Sequence, residues 1–459
     1  MAYLCGMKKI LTTTVIAASA CIALAQNPSI SAIYTPDPAP YVHDGKVYLF
    51  VDHDEDDAIY FKMKDWILFE TTDMVNWTYL GTQVTTATFE WAAQGDRAWA
   101  AQAVERNGKW YWYLCCNTAD GKDALAVAVA DKPTGPWRDA IGGPLATGFG
   151  FIDPTVLIDD DGKAYLFWGN KGFWYGELND DMISFANGYQ EVPGYTDPKA
   201  FGDLQSKMDW SIGKERMMTQ YEEGPWVTHR GDLYYAVYPA GGVPEYMAYS
   251  TAPTVNGPWT FRGRIMDEAV NSFTIHGGNI HYKGHDYMFY HNGMLPNGGG
   301  FRRSTAIEEF TFNADGSIPF IPFTEKGVEP VGTINPYERV EGETMSGSWG
   351  VKLDRLAGDA HYVTSIHNGD WVKVREVDFG EGGATSAKAT ALHIKHPGVI
   401  ELYLDKLDGR PFAHIEISEQ ASTAEATIHH APTGKHDVYI LFRGGDEELF
   451  DFDWWTVAR

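Results

Sequence analysis

Polar turns that contain glycine alternate with short runs rich in aromatic and aliphatic residues along the first two thirds of the chain. In residues 43–50, a His-Asp-Gly-Lys turn leads into Val-Tyr-Leu-Phe, a run with strong strand propensity. Each such run also follows a short apolar segment, so each pair of segments is predicted to form a β-hairpin. The five turn glycines are Gly45, Gly108, Gly162, Gly231 and Gly284.

The spacing of these hairpins indicates a repeat architecture. Neighbouring turn glycines lie 53 to 69 residues apart, which is typical of four-stranded propeller blades with generous loops. A second repeat supports this, because turns ending in Trp77, Trp137 and Trp259 follow strand-like runs and would mark matching corners of three blades. We therefore predict an all-β chain with a five-bladed β-propeller over residues 27–328.

Beyond about residue 325 the repeat stops. Residues 330–336 are predicted to form a linker, and short alternating strands follow to the end of the chain, with strand signals about every ten residues. A second domain, a β-sandwich over residues 335–459, is the natural prediction.

The first residues have the pattern of an export signal. Lys8 and Lys9 precede an apolar run over residues 10–24, and Ala-Leu-Ala at 23–25 is a cleavage pattern. We therefore predict a signal peptide over residues 1–25 and a periplasmic or extracellular location. Cys21 offers the alternative of a lipid-anchored protein on the outer surface. No other apolar stretch is long enough for a membrane span.

Composition excludes some partners. The formal net charge is −26, so the surface repels phosphate backbones and nucleic-acid binding is not expected. A neutral polysaccharide is not repelled. Cys115 and Cys116 are adjacent and are predicted to be two buried thiols on a strand.

Three carboxylates stand at the starts of three predicted blades, each close to a proline. They are Asp37 before Pro38, Asp153 before Pro154, and Glu223 in the sequence Glu-Gly-Pro. The first strand of each propeller blade lines the central axis, so acids at equivalent positions converge there. Glycoside hydrolysis needs one carboxylic acid to protonate the leaving oxygen and a second carboxylate to activate water or attack the sugar. A third nearby carboxylate can raise the pKa of the acid.

These blade starts, together with His53-Asp54-Glu55, Ala98-Trp99-Ala100 and residues 271–277, resemble glycoside hydrolase family 43 over residues 30–325. The resemblance implies a five-bladed propeller and an inverting mechanism, with Asp37 as general base, Asp153 as pKa modulator and orienter, and Glu223 as general acid. Glu222 is the alternative acid. An inverting pair should stand roughly 6.5–9.5 Å apart to admit a water molecule.

The resemblance also implies further site residues. His276 resembles an axial histidine near a central calcium or its waters, and Arg303, with Arg302 as the alternative, resembles an arginine that reaches sugar hydroxyls. Trp99 is a candidate for stacking under a sugar ring, and His53 and Phe273 are candidate substrate contacts. The acidic runs 54–57 and 159–162 do not fit a calcium-loop spacing and are predicted to be solvated turns.

The C-terminal domain resembles carbohydrate-binding module family 6. The residues that carry this are 340–343, 368–372, 377–380 and 450–455. The resemblance implies a jelly roll with a structural calcium, for which Glu341, Glu343 and Asp453 are the candidate ligands. Residues 422–430 lack the tryptophan that usually stacks on sugar, so this domain either braces the propeller or contributes a wall to its cleft.

Together these features predict an exported inverting glycosidase that removes α-L-arabinofuranosyl or β-xylosyl units from arabinoxylan or its oligosaccharides. We expect it to act as a monomer on plant cell-wall glycans. The alternatives are an endo-arabinanase, an exo-galactanase, or a non-catalytic glycan-binding surface protein. Sequence patterns do not distinguish arabinose from xylose or exo from endo action, because these depend on a few loop side chains.

Overall fold

The regular secondary structure of the described residues consists almost wholly of antiparallel strands. The computed structural model describes residues 26–209, 214–354 and 360–459. The predicted signal peptide, including Cys21, lies outside these residues. Within the described ranges, no helix has the length and apolar character needed to cross a bilayer.

The first three propeller blades are successive antiparallel sheets. Blade one contains β1 (Ala39–His43), β2 (Lys46–Asp54), β3 (Met63–Thr71) and β4 (Trp77–Thr85). Blade two contains β5 (Trp99–Arg106), β6 (Lys109–Asn117), β7 (Asp123–Ala130) and β8 (Arg138–Asp139), with β9 (Ala146–Thr147) also on β7. Blade three contains β10 (Thr155–Ile158), β11 (Ala164–Trp168), β12 (Trp174–Leu178) and β13 (Gln190–Glu191).

Two further sheets complete the propeller. A separate hairpin of β14 (Asp203–Asp209) and β15 (Lys214–Thr219) precedes blade four. Blade four contains β16 (Trp226–Arg230), β17 (Leu233–Ala240), β18 (Tyr246–Ala252) and β19 (Thr260–Met266), and blade five contains β20 (Asn279–Tyr282), β21 (His285–Asn292) and β22 (Ser304–Phe310). The described helices are short, a 3-10 turn at Thr86–Thr88 and α1 at Pro198–Phe201.

All five predicted hairpins are present, so the fold prediction is confirmed. Each joins the first and second strands of a blade, and all five turn glycines have positive φ, from 61° to 89°. Only glycine adopts this conformation without steric cost, which explains the recurring turn signal.

Two other predictions concern single residues. The Trp-ended turns join the third and fourth strands of blades one, two and four. Cys115 and Cys116 are buried free thiols on β6.

The segment before β1 closes the ring by joining blade one to blade five. Ser29 donates its backbone N–H to Thr305 O at 2.7 Å, and Thr35 donates to Arg303 O at 2.9 Å. The buried amide of Asn27 adds a donor bond to Ile307 O and an acceptor bond from Ile307 N. This segment therefore takes the place of an outer strand beside β22.

The C-terminal domain is a two-sheet sandwich, as predicted. One sheet contains β23 (Val340–Glu341), β26 (Lys352–Leu353), β27 (Val363–Thr364), β29 (Ser386–Leu392), β32 (Thr423–Thr427) and β34 (Asp451–Ala458). The other contains β25 (Gly347–Trp349), β28 (Trp371–Asp378), β30 (Gly398–Leu404), β31 (Ala413–Ile417) and β33 (Lys435–Gly444).

The two domains share a continuous core. The short strand β24 (Thr344–Met345) pairs with β4 of blade one, and one buried apolar cluster contains residues of both domains. At the seam, the Asn76 side chain donates to Arg375 O at 2.9 Å and accepts from Arg375 N at 2.8 Å. The sandwich is therefore packed against blade one rather than tethered by a loose linker.

Candidate active site

The three blade-start acids occupy equivalent places, directly before the first strands of blades one, three and four. Asp37 and Asp153 have φ of 50° and 58°, a left-handed conformation that is uncommon for residues other than glycine. Gly224, next to Glu223, has φ of 52°, and a Cβ there would lie 2.8 Å from the His276 ring. The backbone is thus strained at Asp37 and Asp153, a feature that often accompanies function, and the turn beside Glu223 requires glycine.

The carboxylate of Asp37 is held in its ionised form. Its Oδ1 lies 3.2 Å from His276 Nδ1, 3.2 Å from His291 Nδ1 and 3.3 Å from Arg303 Nη1. Burial opposes ionisation, but the Arg303 charge and the hydrogen bonds from both histidines outweigh it and hold the pKa of Asp37 well below its usual range.

Arg303 is the buried cation of the site and is 3% exposed. Its guanidinium donates to both carboxylate oxygens of Asp54, at 2.9 and 3.0 Å, in a bidentate pair. Asp54 also accepts from the backbone N–H of Arg303. The prediction that residues 54–57 form a solvated turn is therefore wrong for Asp54, which is fully buried because it ends β2 at the axis, and for Glu55, which is 8% exposed.

A further acid, Asp52, lies beside Asp37. The β1–β2 register pairs Ala39 with Phe50, and continuing it by two residues sets Asp37 opposite Asp52. Asp52 is fully buried. Burial and the neighbouring Asp37 charge raise the pKa of Asp52 well above its usual range, which favours its protonated form.

Asp153 and Glu223 form the opposite side of the cluster. Asp153 Oδ2 accepts the backbone N–H of Gly224 at 3.1 Å, which ties Asp153 to the turn that carries Glu223. Burial and the Glu223 charge raise the pKa of Asp153 to about 8. Burial also raises the pKa of Glu223, whose Oε2 accepts a hydrogen bond from Asn170 Nδ2.

Two more glutamates lie near Glu223. Glu222 is 7% exposed, and Glu223 is more accessible. Glu245 is 1% exposed and accepts the backbone N–H of Ile275 at 3.1 Å. Burial, followed by the Glu223 charge, raises the pKa of Glu245 well above its usual range. Burial therefore favours the protonated forms of Glu223 and Glu245 in this part of the axis.

His276 lies between the two sides. Burial lowers its pKa, but the carboxylates of Asp37, Asp153 and Glu223 outweigh this effect and the net shift is upward. His291 behaves oppositely, because burial and the Arg303 charge lower its pKa. Its Nε2 lies 3.1 Å from Thr274 Oγ1, and its Nδ1 lies 3.1 Å from the backbone nitrogen of Asp37.

Aromatic residues surround the Arg303 side of the cluster. Phe61, Phe273 and Phe301 contact one another edge to face with ring centroids 5.0 to 5.9 Å apart. Arg303 lies over the Phe61 ring. Trp99 donates its indole N–H to Phe61 O at 3.2 Å. Phe273 and Trp99 therefore belong to one aromatic wall.

His53 is placed differently from the other predicted contacts. It is 4% exposed, and its Nδ1 lies 3.4 Å from Asp65 and 3.6 Å from Glu55. The proposed contact between His53 and substrate stays a prediction.

The candidate metal ligands of the C-terminal domain lie around Arg339. Its guanidinium pairs with Glu341 at 2.7 Å and with Asp453 at 3.0 Å. Glu343 Oε2 is buried without a hydrogen-bond partner, and burial with the charges of Glu341 and Asp453 raises the pKa of Glu343 to about 9. An orphaned carboxylate oxygen beside two more carboxylates fits a hard cation with oxygen ligands.

Sequence patterns predicted the acids at the axis but not their supporting residues. Asp52, Asn170, Glu245 and His291 were missed because each is a single polar residue in a strand or loop without a motif. The period of β2 offered one signal, since Asp52 and Asp54 face the same side of that strand.

Comparison with known proteins gives consistent matches along the chain. The profile described as Glycosyl hydrolases family 43 matches residues 25–318, and the profile described as Carbohydrate binding module (family 6) matches residues 341–459. A relative from Bacillus subtilis (strain 168), an arabinoxylan arabinofuranohydrolase, is 30% identical over 484 residues, which cover 94% of this chain and 92% of the relative.

Two solved structures are also similar. A Bacillus subtilis family 43 arabinoxylan arabinofuranohydrolase in complex with cellotetraose has a TM-score of 0.78 and 26% identity, with 95% of this chain and 98% of that chain covered. A family 43 β-xylosidase/α-arabinofuranosidase from a compost microbial metagenome, in a calcium-free form with xylotriose, has a TM-score of 0.56 and 27% identity. It covers 64% of this chain and 96% of its own.

The buried ion pair predicts that substitution of Arg303 lowers the free energy of unfolding far more than substitution of the adjacent Arg302. Arg303→Met leaves the Asp54 carboxylate buried without its cation, so the free energy of unfolding should fall by about 3–5 kcal/mol. Arg302→Met is the control, because Arg302 donates to the backbone carbonyl of Ala58 at the periphery and its loss should remove about 1 kcal/mol. Denaturant unfolding at pH 7 measures both. Equal losses in the two variants would contradict the assignment of Arg303 as the central cation.

Proposed function

Because this chain belongs to glycoside hydrolase family 43, with a family 6 carbohydrate-binding module after the propeller, we propose that it is an inverting arabinofuranosidase. The substrate would be arabinoxylan or its oligosaccharides, from which it removes α-L-arabinofuranosyl units. Family membership makes it a glycosidase. The sugar, the stereochemistry and the roles of individual residues are the proposal.

One observation carries the proposal: carboxyl groups around one axis have opposite protonation tendencies. The pKa of Asp37 lies well below its usual range, whereas the pKa values of Asp153 and Glu223 are raised. Acid–base hydrolysis needs one ionised and one protonated carboxyl group at the same pH. This difference supports Asp37 as the base and Glu223 as the acid.

This arrangement supports the following proposed roles. Asp37 takes a proton from a water molecule whose oxygen attacks the anomeric carbon, while the glycosidic bond breaks and Glu223 gives its proton to the leaving oxygen. Asp153 orients the turn of Glu223 through the Gly224 N–H and is the proposed pKa modulator, with the Glu223 charge raising the pKa of Asp153. Arg303 and His276 keep the base ionised, with Trp99, Phe273 and His53 as the further proposed contacts to substrate.

The choice of sugar rests on the relatives. The Bacillus subtilis relative that spans both domains is an arabinoxylan arabinofuranohydrolase, which favours arabinofuranose. The compost-metagenome enzyme is a β-xylosidase/α-arabinofuranosidase, so release of β-xylosyl units is the second candidate activity.

Calcium is proposed as a structural ion of the C-terminal domain. Glu341, Glu343 and Asp453 would hold it, and the unpartnered Glu343 oxygen supports this. Bound there, the ion would neutralise carboxylates and stabilise the loop packing of the sandwich. A second calcium near His276 on the axis is also proposed, since a family 43 relative was solved in a form described as calcium-free. Export, as a periplasmic or extracellular enzyme, likewise remains a proposal.

The substrate proposal is tested by assaying nitrophenyl α-L-arabinofuranoside and nitrophenyl β-D-xyloside side by side. The arabinofuranoside should have the higher kcat/KM, and NMR during turnover should first detect the inverted anomer of the product. Faster xyloside hydrolysis would move the assignment to the second activity. Absence of turnover on both, with tight xylan binding, would refute the catalytic proposal.

The acid assignment is tested with two adjacent glutamates. Glu223→Gln should reduce kcat on a glycoside with a poor leaving group by about 10²–10⁴-fold, since general acid catalysis contributes about that much. With a dinitrophenyl leaving group, which needs little protonation, the loss should be much smaller, whereas Asp37→Asn should remain inactive on both. Glu222→Gln is the matched control. A larger loss in that control, with an intact fold by circular dichroism, would transfer the role to Glu222.

The paired carboxyls predict the pH profile. The low pKa of Asp37 places the acidic limb of kcat/KM far below neutral pH, and loss of protons from the Asp153–Glu223 pair sets the basic limb, with Asp153 at about 8. Asp153→Asn removes one of the two charges, so the basic limb should move to lower pH. An unchanged basic limb in Asp153→Asn would contradict the coupling of the two groups.

A further inference from the structure

A cleft of about 840 Å³ lies at the seam between the two domains, away from the acid cluster. The propeller contributes Tyr34, Met294 and Pro296, and the sandwich contributes Trp349, Lys352 and Trp371. Pockets that hold small molecules have volumes of about 300–1,000 Å³. The cleft is thus large enough for a ligand of several sugar units, and it exists only because both domains are present.

The sandwich wall of the cleft is aromatic. Trp349 on β25 is the direct cross-strand partner of Trp371 on β28, so the two side chains lie on the same face of the sheet. Trp349 is 38% exposed, which is unusual for so large an apolar side chain in the described residues. Exposed indole rings bind the flat apolar faces of sugars, as amphipathic aromatic residues do at other wet interfaces.

The charges in the cleft favour an uncharged ligand. Lys352 is neutralised by Asp56 at 3.0 Å, and Lys373 is neutralised by Asp437 at 2.8 Å. Glu325 is exposed at the rim. Ser31 and Ser348, one from each domain, are hydrogen-bonded to each other at 2.8 Å and add hydroxyl groups. With both cations paired, an anion would find no free partner, whereas a hydroxyl-rich neutral ligand would.

The cleft shares a propeller loop with the acid cluster. The loop between β21 and β22 lines the cleft at residues 294–297 and ends at Arg303, which binds Asp37. Tyr34 donates its hydroxyl to Pro296 O at 2.9 Å, and the charges of Asp56, Arg302 and Asp54 all act on that hydroxyl. The neighbouring loop between β2 and β3 carries Asp56 and also the exposed Ile59 and Tyr60.

We propose that this seam cleft is a second glycan-binding site, which holds backbone sugars of an uncharged xylan chain while another part of the same polymer occupies the acid cluster. The site is composite: Trp349 supplies the stacking platform, and Met294 supplies the opposite wall from the propeller. It deepens the proposed function, on which it rests for the choice of xylan.

Binding to linear unsubstituted xylan tests the cleft independently of turnover. In affinity electrophoresis of the full chain, Trp349→Ala should weaken xylan binding about tenfold, and Trp349→Phe, which keeps a ring, about twofold. Met294→Ala should also weaken binding, about threefold, because the propeller forms one wall. Phe320→Ala is the matched control, since Phe320 is 52% exposed but does not line the cleft, and it should bind as the wild type does.

Kinetics supply the second measurement. The ratio of kcat/KM on polymeric arabinoxylan to kcat/KM on nitrophenyl arabinofuranoside should fall about tenfold in Trp349→Ala and stay constant in Phe320→Ala. The proposed binding site would be refuted if Trp349→Ala and Met294→Ala both bound xylan with wild-type affinity. It would also be refuted if the wild type did not bind xylan. A loss confined to Trp349→Ala would also overturn it, in favour of a site on the sandwich alone. Xylan binding that depends on both residues, without turnover of either glycoside, would support the cleft and refute the proposed activity.

Discussion

The buried guanidinium of Arg303 is the interaction on which the candidate site depends. It is the cation against which Asp37 and Asp54 are ion-paired, and Asp52 lies beside them. Three carboxyl groups this deeply buried could not all be ionised, because desolvation of each charge disfavours it unless a partner compensates. The one cation therefore favours the ionised form of Asp37, whereas burial and the Asp37 charge raise the pKa of Asp52 and favour its protonated form.

The same cation makes the carboxyl groups on the two sides of the axis differ in pKa. Burial raises the pKa values of Asp153, Glu223 and Glu245, which lie on blades three and four and have no paired arginine comparable to Arg303 in the part of the chain that the structure describes. The His276 ring lies between the two sides and is drawn toward its protonated form by acids of both. Arg303, with the two histidines, thus lowers the pKa of Asp37 on one side of the axis, while burial raises the pKa values of carboxyl groups on the other side.

Local patterns predicted the fold and the acids well because their causes are local. A turn glycine with positive φ is needed at each hairpin, and Gly45 and Gly284 mark two such turns irrespective of the rest of the chain. Asp54 was mistaken for part of a solvated turn because its partner, Arg303, is 249 positions away in the sequence. The raised pKa values of Asp52 and Glu245 could not be predicted from the sequence either, since burial and neighbouring charges depend on how five blades meet at the axis.

Backbone hydrogen bonds hold the seam between the domains, as they hold the ring closure of the propeller. Residues 26–35 bind β22, and β24 extends blade one, so both ends of the catalytic domain are held by backbone hydrogen bonds. The Asn76 amide then joins the sandwich to the turn after β3. A module packed through a shared core loses little conformational entropy when both domains engage one polymer, because no flexible linker has to be ordered. A rigid seam would therefore make the proposed cleft an extension of the acid cluster, with the spacing between the two set by the fold.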